Sequence, residues 1–170
     1  MDNSNKYQDR DYMNLVSDIL YHNKFEQIKD IRHHGLNRYD HSVRVSYYSY
    51  KVTKLLRLNY KKTARAGLLH DFFLEENENE KVKNKLNNWI NHPKKAIKNS
   101  KKYFNVSDIE EDIIISHMFP IALRAPRYLE SWIVVLIDDF VSIYEAISIR
   151  SQQINYSLNF LFVILINYLR

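Results

Sequence analysis

The stretch Gly67-Leu68-Leu69-His70-Asp71 closes an apolar run with a histidine and an aspartate side by side. Adjacent side chains on a helix point about 100° apart, so a single surface contact rarely uses both. At a helix end both can turn onto one ion, one offering an imidazole nitrogen and the other a carboxylate oxygen. Taken alone, the pair is better explained as a polar helix terminus, because a His-Asp dipeptide is common. Its company changes the balance. His41, His92 and His117 each fall at an expected helix boundary. Asp138 lies within Trp132-Ile-Val-Val-Leu-Ile-Asp-Asp-Phe-Val, a run otherwise built for burial. A carboxylate buried there is costly unless a positive charge or a metal compensates it. Four histidines and two carboxylates could together fill two adjacent metal positions.

The elements that must carry these residues are helical. The 170 residues include only two glycines and three prolines, too few for the tight turns of a sandwich or barrel. Met13, Leu15, Val16, Ile19, Leu20, Phe25 and Ile28 recur at helical spacing and predict one helix over residues 11–29. Asp40 reads as the N-cap of a helix over 41–56, and a helix over 61–69 delivers His70 and Asp71. The polar run 75–80 reads as a loop, followed by a short helix to Ile90. His92-Pro93 opens the next helix, with proline in its favoured first turn. Ser107-Asp-Ile-Glu110 matches a capping box ahead of a helix that runs out at His117. A loop then leads to a helix over 128–150, and a separate apolar helix follows from Gln152. No strands are expected. These elements add up to an all-α fold, a compact single-domain helical bundle of about six to eight helices spanning residues 1–170. Its motif-bearing core covers 30–147, and the C-terminal apolar helix, 152–169, packs on that core or on a dimer partner.

Composition narrows the chemistry. The chain has no cysteine, which excludes disulfides, thiolate metal sites and thiol catalysis. Any metal is therefore held by nitrogen and oxygen, a set suited to iron, manganese, magnesium or zinc. Net charge is +5 with a pI near 9.2. Much of it sits in lysine tracts at 61–62, 81–85 and 94–102, read mainly as solvated faces that would welcome a phosphate-bearing ligand. No recognition-helix pattern stands out, so no nucleic acid partner is expected. The apolar segment 158–169 is short of the roughly 20 residues a bilayer needs, so no membrane partner is expected either. The polar N-terminus is read as that of a cytoplasmic protein. Arg38, Arg44, Arg124 and Arg127 are candidate anion contacts, since guanidinium grips phosphate bidentately. His34 could reach a phosphate from the rim, and His22 reads as a helix-surface residue. The apolar terminus and the tyrosines Tyr47, Tyr48 and Tyr50 point to a homodimer.

Taken in order, Asp40-His41-Ser-Val-Arg44, Gly67-Leu-Leu-His70-Asp71, His92-Pro93, His117 and Asp138 resemble the H…HD…H…H…D signature of the HD-domain superfamily. The wider context is similar to small stand-alone HD proteins of Gram-positive bacteria. The resemblance implies a metal-dependent phosphohydrolase. Its substrate would be a nucleotide or related phosphomonoester or phosphodiester, attacked by a metal-activated water at a dinuclear centre. It implies His41, His70, Asp71, His92, His117 and Asp138 as metal ligands, with Asp71 bridging and His70 and Asp71 at the catalytic heart. The implied cofactors are two divalent ions, iron or manganese foremost, with magnesium, zinc, nickel and cobalt as others. In the superfamily a glutamate commonly follows the last aspartate by seven positions. Asp138 with Glu145 fits that spacing, and Asp139 is the alternative. The position three after the HD aspartate, Lys or Glu in many hydrolytic members, is Leu74 here, and Glu75 is the candidate one step further on. Similar six-ligand sets serve di-iron oxygenases, and an HD fold can also bind a nucleotide without turnover. Both alternatives stay open on the sequence.

Overall fold

The computed structural model describes residues 9–33, 36–74 and 85–168. Among them are seven α-helices: α1 (Arg10–Leu20), α2 (Asn23–Glu26), α3 (Arg38–Leu55), α4 (Tyr60–Leu69), α5 (Lys85–Tyr103), α6 (Asp108–Ser116) and α7 (Leu129–Tyr168). A 3-10 turn at Gln27–Asp30 follows α2. The fold is all-α apart from one small departure. Strands β1 (Arg32–His33) and β2 (Leu36–Asn37) pair antiparallel, Arg32 opposite Asn37 and His33 opposite Leu36.

Helices α3 and α4 form the central pair, and their approach depends on one residue. A Cβ placed on Gly67 would stand 2.7 Å from Ser46 Cα, so only glycine lets the end of α4 sit this close to α3. Helix α1 locks onto the same crossing. Tyr12 Oη donates to Ser46 Oγ at 2.8 Å, and Ser46 Oγ donates to the Ala64 carbonyl at 2.6 Å. Around this contact the core closes with Val16, Ile19, Phe25, Leu68, Phe72 and Ile113. On α6 the capping box is formed, Ser107 N–H donating to Glu110 Oε2 at 2.8 Å. Glu110 is buried and also pairs with Lys62 and Arg65 of α4, which ties α6 to α4.

The structure redraws four helix boundaries. The single helix expected over 11–29 breaks at Tyr21 and His22, where His22 Nδ1 accepts from Lys24 N–H at 3.2 Å and caps α2. Its ring packs on Phe104 at 4.9 Å, so His22 is a capping residue rather than a surface one. The apolar spacing runs through this break, which is why periodicity misses it. Helix α3 starts at Arg38 rather than His41, because Asn37 is the cap, accepting from Asp40 N–H at 2.7 Å. The short helix to Ile90 and the one expected to open at His92-Pro93 are a single helix, α5, with Pro93 inside it. Proline removes one ladder hydrogen bond there, on a face that buries His92, Pro93, Ala96, Ile97 and Ser100. Finally, α7 runs 40 residues without a break. Nothing in the sequence near residue 151 is a glycine or proline that would end it. Among the described residues no helix is long and apolar enough to cross a membrane.

Candidate metal centre

Five helices deliver six polar side chains to one buried point. His41 sits in the first turns of α3, and His70 caps the C-terminus of α4 with Asp71 following it. His92 lies mid-way along α5, His117 caps the C-terminus of α6, and Asp138 projects from α7. All six are buried, the most exposed being Asp138 at 9%. Asp139 is exposed, so of the two neighbouring aspartates only Asp138 faces the cluster.

Three overlapping groups have donor atoms within 4.8 Å of one another: His41, His70 and Asp71; His70, His117 and Asp138; and Asp71, His92 and His117. Asp71 joins the two ends of this set. Its Oδ2 lies 3.8 Å from His70 Nε2. Its Oδ1 lies 3.1 Å from His92 Nε2 and 3.6 Å from His117 Nε2.

The ring orientations suit a cation. His70 Nδ1–H donates to the Gly67 carbonyl at 2.7 Å, which leaves a buried Nε2 with no hydrogen-bond partner among the described residues. His117 Nδ1–H donates in the same way to the Ile114 carbonyl at 2.7 Å, and its Nε2 lies 2.7 Å from His92 Nε2. Two imidazole nitrogens this close must share a proton or a cation. Holding Nδ1 to fix the tautomer and aim Nε2 is how proteins orient metal-binding histidines. The donor set of imidazole nitrogens and carboxylate oxygens fits a divalent transition metal.

A family model for the HD domain matches residues 38–142. The chain belongs to the HD-domain family. No curated protein and no solved structure matched it. The matched segment opens at the first residue of α3 and contains all six clustered side chains. The family is chiefly one of metal-dependent phosphohydrolases, with non-catalytic members among them, and the buried His/Asp cluster of this HD domain could hold metal.

The electrostatics divide the histidines of the HD site by role. His41 lies between two carboxylates, Nε2 at 3.0 Å from Asp138 Oδ1 and Nδ1 at 3.0 Å from Glu145 Oε2. Burial opposes its protonation, but the hydrogen bonds to Asp138 and Glu145 outweigh that and raise its pKa to about 10. Burial, with His92 and His70 alongside, pushes His117 down to about 3. Asp138 is held below the usual carboxylate range: burial works against its ionisation, and His70 and the His41 hydrogen bond prevail. Glu145 is also lowered, burial again being overcome by His41 and by Arg44.

The other expected site residues have varied placements. Arg44 donates to Glu145 Oε1 at 2.6 Å, so it supports the His41 partner instead of standing ready for an anion. Arg127 donates through Nε to Asp112 Oδ1 at 2.9 Å, and is likewise committed to a carboxylate. Arg38 donates to the Phe73 carbonyl at 2.7 Å and lies 3.7 Å over the Phe73 ring, pinning the chain that leaves Asp71. Arg124 is exposed, and Leu74 packs against the core. His34 and Glu75 lie outside the described residues.

Two contributors escaped the sequence reading. Phe73 lays its ring against His92, with centroids 5.4 Å apart and planes at 30°. Asp112, fully buried, accepts from Arg127 N–H and Ser131 Oγ–H at 2.8 Å each, and so fixes the loop between α6 and α7. The aspartate that ends Glu110-Glu111-Asp112, directly before Ile113-Ile114-Ile115, was the available signal for the second. None existed for the first.

Proposed function

We propose that this HD protein is a metal-dependent phosphohydrolase acting on a nucleotide or related phosphomonoester or phosphodiester. The observation that carries the reading is the Asp71 carboxylate, whose two oxygens face different members of the donor set, Oδ2 toward His70 and Oδ1 toward His92 and His117. His41, His70, Asp71 and Asp138 would hold one ion, and Asp71, His92 and His117 a second. Two divalent ions bound there, iron or manganese by preference, supply a hydroxide near neutral pH and charge compensation for a phosphoryl group.

The chain's own contribution is orientation and burial. Main-chain carbonyls of Gly67 and Ile114 aim His70 and His117, and Glu145, held by Arg44, aims His41. Exposed Lys94, Lys95 and Lys98 lie on the helix that carries His92, and the net charge of +5 favours an anionic substrate. Arg124, exposed on the loop between α6 and α7, is the guanidinium group we assign to its approach. Leu74 carries no proton to donate, and Glu75, the next residue, is the carboxyl we assign to the leaving group. A cytoplasmic location is part of the same proposal.

Elemental analysis of protein expressed with iron and manganese, combined with a phosphoester panel, tests this. Close to two ions per chain are expected, falling in His70→Ala, His92→Ala and His117→Ala, with manganese-supported phosphate release falling in parallel. Protein without bound metal would overturn the centre itself. Oxygen consumption by the iron-loaded protein without phosphate release would replace hydrolysis by oxygenase chemistry. Stabilisation by a nucleotide with no turnover would make it a binding module.

A further inference from the structure

Helix α7 is apolar on two opposite sides, and the cluster and core account for only one. Val134, Val135, Asp138, Val141 and Glu145 face inward and are buried. On the other side Leu129, Trp132, Leu136, Phe140, Ile143 and Ile147 are 40% to 69% exposed. At 3.6 residues per turn these six fall within an arc of about 80°, a continuous stripe over five turns. A helix that is apolar all round is normally buried all round. The stripe leaves roughly 800 Å² of side chain open to water, well above the scattered apolar exposure of a monomer. About 800 Å² is also what each partner contributes to a standard protein interface.

We propose that this face is a homodimer interface, with a second copy of the chain laying its own α7 antiparallel along it. The charges beside the stripe select that occupant. Among the described charged residues of α7 only Asp139 and Arg150 are exposed, and both lie on the same edge of the stripe by helical position. They are opposite in sign, and their midpoint falls beside Tyr144. An antiparallel two-fold through that point sets Asp139 against the partner's Arg150 and repeats the pair by symmetry, as an isologous interface requires. Helix length agrees. Forty residues span about 60 Å, against roughly 35 Å for a globule built from the rest of the chain. Residues 150–155 are accordingly exposed on every side of the helix, where a second helix can lie. The proposal is independent of what the metal centre does.

Sedimentation of the full chain across micromolar concentrations tests it. The wild type is expected at twice the 20.5 kDa of one chain, and Phe140→Glu/Ile147→Glu at the mass of one, with unchanged far-UV circular dichroism. Asp139→Arg and Arg150→Asp should each weaken the dimer, and the double exchange should restore it. A monomeric wild type overturns the proposal, as does a Phe140→Glu/Ile147→Glu protein that remains dimeric. Single charge reversals without effect overturn the antiparallel register. Flotation of a monomeric wild type with phosphatidylglycerol vesicles would assign the face to a lipid surface instead. If the glutamate variant loses its helical signal, hydrogen exchange of the unsubstituted chain decides. Amides of 129–147 should exchange faster on dilution, and exchange independent of concentration refutes the dimer.

Discussion

Metal binding to this chain should release a proton from His41, and the release can be counted. The imidazole lies 3.0 Å from both Asp138 and Glu145 and has a pKa of about 10. It is therefore an imidazolium at neutral pH, with no lone pair for an ion. Freeing Nε2 at pH 7 spans about three pK units, on the order of 4 kcal/mol. Because the pKa is raised, the proton competes with the metal, and apparent affinity should climb about tenfold per pH unit until pH approaches 10. His117, at about 3, is already neutral and adds no slope. The same shift makes the metal-free fold weaken at high pH. The contribution of the His41 pair is complete below the unfolded value of 6.5 and is lost as pH rises through about 10. The assay is calorimetric titration of the metal-free chain with manganese at pH 8, in two buffers of different ionisation enthalpy. An imidazole of ordinary pKa, about 6.5, is already neutral there. Any proton lost by a metal-bound water is common to wild type and His41→Ala, so the difference isolates His41. The variant should release about one proton fewer. Equal release, or a wild-type affinity flat between pH 7 and 9, would refute the reasoning.

Three further substitutions test the scaffold. Glu145→Gln removes the charge that orients His41, so near pH 10, where the competing proton is gone, metal affinity should fall by about 10- to 100-fold, and a titration showing no change would remove Glu145 from the site. Gly67→Ala forces a methyl to 2.7 Å from Ser46 Cα and should cost about 1–3 kcal/mol in urea unfolding, with metal affinity reduced because the Gly67 carbonyl also aims His70. Wild-type stability would show that α3 and α4 can part without loss. Asp112→Asn weakens the acceptor for Arg127 and Ser131 and should destabilise by about 1–3 kcal/mol at neutral pH. Burial works against ionisation of Asp112, but Arg127 and Ser131 lower its pKa below 3.8. Its contribution is therefore present above the unfolded value and lost as pH falls through the folded one. The wild-type advantage should shrink in strong acid, and an advantage that persists there would exclude the ionised carboxylate as its source.

The sequence exposes the cluster better than the frame that holds it. Histidines and an aspartate set in apolar helical surroundings are conspicuous because burial of such groups needs a reason, and the family's seven-residue interval to a glutamate favours Asp138 over Asp139, though it does not show that Glu145 meets His41. Helix boundaries are less visible. Tyr21 and His22 interrupt a helix without disturbing its apolar period, since the cap comes from an imidazole instead of the usual Ser, Thr, Asp or Asn. Asn37 and Asp40 are both good caps three residues apart, and the chain uses the earlier one. Pro93 looks like a helix start but lies inside α5, where the packing of the face that buries His92, Pro93, Ala96 and Ile97 offsets the missing hydrogen bond. Arginine roles are the least visible. Nothing in local sequence shows that Arg44 meets a carboxylate 101 positions away and Arg127 one 15 positions away.

The oriented histidines differ in what can tune them. His70 and His117 are held through Nδ1 by main-chain carbonyls three residues earlier, at the C-terminal ends of α4 and α6. Each helix end that delivers the ring also fixes it, and no side-chain substitution removes the acceptor. His41 is held by Glu145, which depends in turn on Arg44, so its basicity answers directly to two replaceable side chains. A stronger hydrogen bond to Nδ1 makes His41 a better donor to an ion and also a better base for the competing proton. The first effect strengthens metal binding at high pH, and the second weakens it at low pH. Under the proposed metal binding, Glu145 and Arg44 would therefore set the pH above which the centre fills, while His70, His117 and Asp71 would set its geometry.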